Sequence, residues 1–176
     1  SEVEDIVRKV DEFLERLKEH NRKLDKEAKE LLDRLKRHNE KLDEEAKRLI
    51  EEIKRVADEN SMDKDRLLAE LRKVLEEHRR VSEDNVRRIR KLLDDHRRRS
   101  EENMRRIDAV LDKVRKELED KDLLREIAEK AERVKEESKR SHDEIADEIR
   151  KVEEESERSH REIAEELERL SRRLKK

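Results

Sequence analysis

Apolar residues recur along this chain with the period of a helix that buries one face. Over residues 2–59, Ile6, Val10, Phe13, Leu14, Leu17, Leu24, Ala28, Leu31, Leu35, Leu42, Ala46, Leu49, Ile53 and Val56 share an arc about 120° wide at 100° per residue. Residues 63–118 repeat the pattern with Leu67, Leu71, Val74, Leu75, Ile89, Leu92, Leu93, Ile107, Val110, Leu111 and Val114. Residues 122–175 do so with Ile127, Ala131, Val134, Ile145, Ile149, Val152, Ile163, Leu167, Leu170 and Leu174. Nearly everything else is Lys, Arg, Glu or Asp. Three long amphipathic helices are therefore expected, and sustained periodicity argues against the disorder that so polar a chain would otherwise imply.

Capping chemistry locates the breaks. Ser1 and Glu4 form a capping box. At 59–63 the rhythm stops at Glu59-Asn60-Ser61-Met62-Asp63, where Asn60 can end one helix and Ser61 or Asp63 can cap the next. At the second break Asp120 or Asp122 is the expected N-cap. Short connections force antiparallel neighbours. The expected fold is all-α: one domain over residues 1–176, an up-down-up three-helix bundle.

An internal repeat of 18 residues runs through all three helices. His20-Asn21 returns as His38-Asn39. His78, Ser82, Asn85 and Val86 return as His96, Ser100, Asn103 and Met104. Ser138, Ser141 and His142 return as Ser156, Ser159 and His160. Eighteen residues make about five turns at 3.6 residues per turn, so such a repeat keeps its face without supercoiling, and nearly straight helices are expected.

All six histidines belong to the repeat, and the pattern places each within the apolar arc of its helix. Folding the chain at the two breaks gathers His20, Asn21, His96, Ser100, Asn103, Ser138, Ser141 and His142 into one cross-section. A second gathers His38, Asn39, His78, Ser82, Asn85, Ser156, Ser159 and His160. Each helix is thus expected to give one His to each layer. Apolar residues toward the ends, including Val3, Val56, Leu67, Val114, Leu118, Leu123, Leu124 and Leu174, are expected to seal the layers. Imidazole, amide and hydroxyl groups can satisfy one another's donors and acceptors. Asn and Ser alone would fix register; what His adds is a charge change near neutral pH. Burial in a neutral network favours the uncharged imidazole, so stability present above about pH 6.5 should fall away in mild acid.

Composition narrows the remaining functions. The 176 residues carry 50 Lys+Arg against 53 Asp+Glu, a net charge of −3, with 59% charged and 30% hydrophobic residues and no Gly, Pro, Cys, Trp or Tyr. Absence of Cys removes disulfides and thiolate chemistry; absence of Gly removes phosphate-cradling loops. No cofactor is expected. No apolar run approaches the ~20 residues of a membrane span. Arg97-Arg98-Arg99 resembles a nucleic-acid contact, but acids interleave such stretches and no aromatic is there to stack on bases. Ser lies near His, yet no orienting acid or oxyanion hole is legible, so no enzyme and no small-molecule substrate are expected. Three imidazoles per layer could instead hold Zn²⁺. Against that reading, no HExxH pattern or His pair at i,i+4 occurs, and the arcs show no carboxylate beside the His.

Taken together, His20-Asn21, His38-Asn39, His78 and His96 with Ser82, Ser100, Asn85 and Asn103, and His142 and His160 with Ser138, Ser141, Ser156 and Ser159 resemble the buried networks of de novo designed pH-responsive helical bundles. The resemblance covers nearly the whole chain. It implies a structural protein whose partner is itself, a subunit of a helical filament that disassembles in acid, soluble and cytoplasmic on recombinant expression. A monomeric or closed-oligomer switch is the alternative. Val7, Leu14, Leu32, Ile50, Val86, Met104 and the Ala128, Ala146, Ala164 stripe lie at arc margins, where they could be core edge or subunit contact.

Overall fold

A computed structural model of the chain describes residues 1–58 and 64–175; the side chains of residues 56, 58, 64, 65, 67, 68, 71, 75 and 175 lie outside the description. The expected helix end at Asn60, the caps at Ser61 or Asp63 and the core positions Val56, Leu67, Leu71 and Leu75 fall outside the described residues. Among the described residues there are three helices: α1 (Glu2–Asp58), α2 (Lys64–Glu117) and α3 (Lys121–Lys175). The fold is an all-α three-helix bundle, with no strand among the described residues.

The caps follow from the sequence. Ser1 Oγ accepts the Glu4 backbone N–H at 3.3 Å, and the Glu4 carboxylate lies 3.6 Å from the terminal ammonium. Asp120 is the N-cap of α3: its Oδ1 accepts the N–H groups of Asp122 at 3.0 Å and Leu123 at 3.3 Å. Those donors would otherwise be left without an intrahelical partner.

The chain divides into two compact units, Ser1–Glu30 with Leu92–Glu148, and Leu31–Lys91 with Ile149–Lys176. In the first, Asp11–Lys130 and Lys18–Glu137 ion pairs advance together along α1 and α3, so these run parallel. The pairs Asn21–Asn103 and Asp25–His96 advance oppositely, so α2 is antiparallel to α1. Its apolar core is Val10, Leu14, Leu17, Ile107, Leu111, Val114, Leu118, Ile127 and Ala131. In the second unit, Lys54–Glu166 and Asn39–Ser156 show the same parallel sense, and Asn39–Asn85 and Asp43–His78 the antiparallel one. Ala46, Ile50, Ile53, Ile163, Leu167, Leu170 and Leu174 form its core.

The buried arc of α1 differs from the one drawn from apolar residues alone. Leu14, Leu32 and Ile50 are buried, whereas Leu31 is 40% exposed. The buried positions centre about 30° from the sequence-drawn arc, on the side of Asn21 and Asn39. The polar residues bury that side, and counting only apolar ones biases the estimate away from it. Val7, Val86 and Met104 are half-buried, Ala146 is buried, and Ala128 and Ala164 are half-buried. Val3, expected to seal an end, is 45% exposed. Among the described residues no helix is long and apolar enough to cross a membrane.

Candidate functional site: two buried histidine clusters

In the first unit, α2 turns His96 and Asn103 inward, α3 offers Ser141 and His142, and α1 offers Asn21 and Asp25. Asp25 Oδ1 lies 2.8 Å from His96 Nε2, and His96 Nδ1 lies 2.6 Å from His142 Nδ1. Ser141 donates to the other carboxylate oxygen of Asp25. Asn103 donates its amide N–H to Asn21 Oδ1 as a separate buried pair.

The second unit repeats this arrangement 18 residues along. Asp43 Oδ1 is 2.9 Å from His78 Nε2, His78 Nδ1 is 2.9 Å from His160 Nδ1, and Ser159 donates to Asp43 Oδ2. Asn85 donates to Asn39 Oδ1, and Asn39 Nδ2 donates to Ser156 Oγ at 3.2 Å. The two inner histidines are almost fully buried: 5% of the His78 side chain and 6% of the His96 side chain is exposed, against 19% for each aspartate. Among the described residues no buried side-chain polar atom lacks a partner.

Ring geometry fixes the nature of the His–His contact. Planes are parallel within 4° and 6°, with centroids 4.9 and 4.8 Å apart. That separation is nearly the Nδ1···Nδ1 gap plus two ring radii of about 1.1 Å, so the rings meet edge to edge and in line, as an N–H···N bond requires. Donor bookkeeping then sets the protons. A carboxylate only accepts, so the inner His must carry hydrogen on Nε2; its neutral form therefore presents a lone pair at Nδ1. The outer His must place its own hydrogen on Nδ1 to donate across the gap.

Such a chain has room for one further proton and not for two. With one proton added, the inner His donates from both nitrogens, the outer His accepts at Nδ1, and the aspartate balances the charge. With two, N–H faces N–H across the gap and two cations adjoin. The electrostatics agree. Burial, reinforced by the His96 charge, holds His142 below its ordinary pKa. Burial and the His78 charge do the same to His160. Burial pushes the Asp25 carboxyl up, but hydrogen bonds from His96 and Ser141 and the neighbouring cationic charge outweigh it, leaving a net lowering. Asp43 is lowered in the same way, with burial opposed by His78 and Ser159.

Two expectations from the sequence are corrected. His20 and His38 are exposed and lie outside both clusters, so α1 contributes no histidine to either layer. At 100° per residue they fall about 90° from the centre of the buried arc of α1, too far to reach inward. The place expected for them is held by Asp25 and Asp43, about 50° from that centre on the opposite flank; a carboxylate does lie beside the His. Both aspartates recur with the same 18-residue step as the histidines, in His20-Asn21-Arg22-Lys23-Leu24-Asp25 and His38-Asn39-Glu40-Lys41-Leu42-Asp43, the signal by which they could have been found. Ser82, Ser100 and Ser138 are half-buried and, among the described residues, make no hydrogen bond to either cluster.

Among the described residues no group of three or more His, Cys, Asp or Glu is placed to hold a metal ion. The in-line geometry explains why: a zinc ion between two imidazoles needs about 2.0–2.1 Å to each nitrogen, and gaps of 2.6 and 2.9 Å admit a proton only.

No protein-family model matches the chain, and no curated protein matches its sequence. Its structure is similar to one described as a computationally designed three-helix bundle, at 17% sequence identity and a TM-score of 0.39, over 97% of this chain and 82% of that one.

Proposed function

We propose that the chain is a de novo designed structural protein, a self-assembling helical bundle whose two His–His–Asp clusters make folding and assembly depend on pH. It is intact at neutral pH and comes apart in mild acid. The observation that carries this reading is the facing pair of Nδ1 atoms in each cluster, which shares one proton and cannot accommodate a second. Composition supports a designed origin: six histidines occur in a chain that is 59% Lys, Arg, Glu and Asp, with no Gly, Pro or Cys. The resemblance of the His, Asn and Ser pattern to designed pH-responsive bundles supports assembly of copies of the chain into a helical filament. A contact between two different patches propagates without closing.

The sign follows from the lowered pKa of His142 and His160. The unfolded chain binds their protons more readily, so their contribution to stability is complete above about 6.5 and is lost as pH falls through the lowered folded values. The lowered aspartates act in a separate window, contributing above their ordinary value near 3.9 and failing only in stronger acid. Negative-stain microscopy and light scattering at neutral pH and near pH 5 test the whole reading. Filaments at neutral pH that dissolve in acid are expected. Monodisperse particles at both pH values overturn assembly, and helical circular dichroism unchanged down to about pH 4 overturns the switch.

A further inference from the structure

The sequence offers Ser near His without an acid to orient the imidazole, and the fold supplies that acid. In the second unit, Asp43, His78 and His160 form a chain of hydrogen bonds from carboxylate to outer ring. Because His160 Nδ1 faces His78, its Nε2 carries the lone pair, and that nitrogen has no hydrogen bond among the described residues. The half-buried ring lines an open groove of about 400 Å³ beside Ser82 and Val86, with Arg87, Arg90 and Arg161 interleaved with Glu83 and Glu157 on its walls.

We propose that this groove is an acyl-transfer site for activated aryl esters, with His160 Nε2 as the nucleophile and His78 and Asp43 as positioning residues. Nε2 attacks the ester carbonyl, the bond to the aryl oxygen breaks, and the aryloxide leaves. The acylated ring gives its Nδ1 proton to His78 Nδ1, and the resulting imidazolium is held against the Asp43 carboxylate. Water then attacks the acyl-imidazole: its oxygen joins the acyl carbon, the C–N bond breaks, and carboxylic acid departs. One proton of the water leaves with that acid and the other passes to solvent, balancing the aryloxide released earlier, while the proton parked on His78 returns to His160 Nδ1. One ester and one water become one carboxylic acid and one aryloxide with its proton. Arg161 lies on the same wall, beside Arg87, which is paired with Asp84, and Arg90, which is paired with Glu153 and Glu157, and its guanidinium puts positive charge where charge develops on the carbonyl oxygen. Groups of all three helices bear on the His160 charge: Asp43 from α1, His78, Arg79, Glu83, Arg87 and Arg90 from α2, and Glu157 and Arg161 from α3. Its lowered pKa keeps the nucleophile unprotonated at neutral pH.

The other unit provides an internal contrast. His142 sits in the same relay, but the equivalent wall carries Met104 for Val86, Asp108 for Arg90 and Asp143 for Arg161. A larger side chain takes up space and two guanidinium donors become carboxylates.

The test uses the full chain and 4-nitrophenyl acetate, following nitrophenolate release and mapping the acetyl group by rapid-quench mass spectrometry. Expected is a rate on the order of 10²-fold above 4-methylimidazole at equal imidazole concentration, the low end for a positioned acid–base group. The rate should decline as acid protonates His160. His160→Gln should fall to the 4-methylimidazole level, and a variant carrying His20→Gln and His38→Gln should keep the full rate. Val86→Met, which fills the groove without touching the relay, should lose the rate even if His160→Gln unfolds. Asp43→Asn should lower kcat with KM unchanged. A wild-type rate no better than 4-methylimidazole, full activity in Val86→Met, or acetyl on a residue other than His160 overturns the proposal.

Discussion

Proton uptake on acid unfolding should be countable, because each cluster rejects one proton. The perturbation is a fall in pH from about 8 to 5, across the ordinary His value near 6.5. Linkage sets the slope of stability against pH at about 1.36 kcal/mol per pH unit for each proton that the unfolded state binds and the folded state refuses. The clusters refuse one each, at His142 or His160, so the steepest slope should be about 2.7 kcal/mol per pH unit for the chain. Six histidines buried in neutral layers, the arrangement expected from the sequence, would give about 8 kcal/mol per pH unit. A difference of that size is readily measured.

Urea unfolding followed by helical circular dichroism, repeated every half pH unit, gives the slope directly. Stability should rise with pH through this window and level off above about 6.5, since lowered His values mean that the unfolded state holds the extra protons. A variant with His142→Gln and His160→Gln should flatten the curve while remaining helical at neutral pH. A slope near six protons would refute the exposed placement of His20 and His38. A flat curve for the wild type would refute the one-proton limit of the facing Nδ1 atoms.

Other consequences follow from individual contacts. Asp25→Asn with Asp43→Asn keeps an acceptor for the inner His but removes the counter-charge; acid unfolding monitored by circular dichroism should move to higher pH, with each cluster weakened by on the order of 1 kcal/mol, the margin between a charged and a neutral hydrogen bond. Asn85→Leu alone leaves the Asn39 carbonyl without its donor and should cost ~1–3 kcal/mol in urea unfolding, more than the paired replacement of Asn39 and Asn85 by Leu. Leu32→Ala should cost about 2–5 kcal/mol and Leu31→Ala well under half of that by the same measurement, because only Leu32 is buried.

Much of the fold was legible because it rests on local rules. The period of the apolar residues assigns three helices, and Ser1 and Asp120 cap the starts of α1 and α3 as their side-chain chemistry leads one to expect. Asp120 was one of two candidate caps, and its two accepted N–H bonds single it out. The phase of α1 was less legible. An arc drawn through Leu24, Leu31, Leu42 and Leu49 weights one flank, and it takes the burial of Asn21 and Asn39 to show that the helix is turned the other way. Leu31 is left exposed and Leu32 buried by a rotation of about 30°, a shift too small to change the helical assignment and large enough to exchange neighbours.

That rotation also decides the chemistry. A histidine about 30° closer to the core would have completed a ring of three neutral donors and acceptors. Its displacement to the surface leaves the inner His of each cluster needing a partner for Nε2–H, and an aspartate 5 residues further along α1 supplies it. The consequence is a change in the kind of switch: instead of three neutral imidazoles, each cluster is a His pair anchored on a carboxylate, and the outer His is the one whose charged form burial disfavours. A sequence read for buried residues passes over Asp25 and Asp43 because a carboxylate at the arc edge looks like any other surface acid among 53. Recurrence at the same 18-residue step distinguishes them only weakly, since several surface residues share it. Only geometry, with Nε2 at 2.8 and 2.9 Å from a carboxylate and Nδ1 facing Nδ1, makes those two acids part of the proton count.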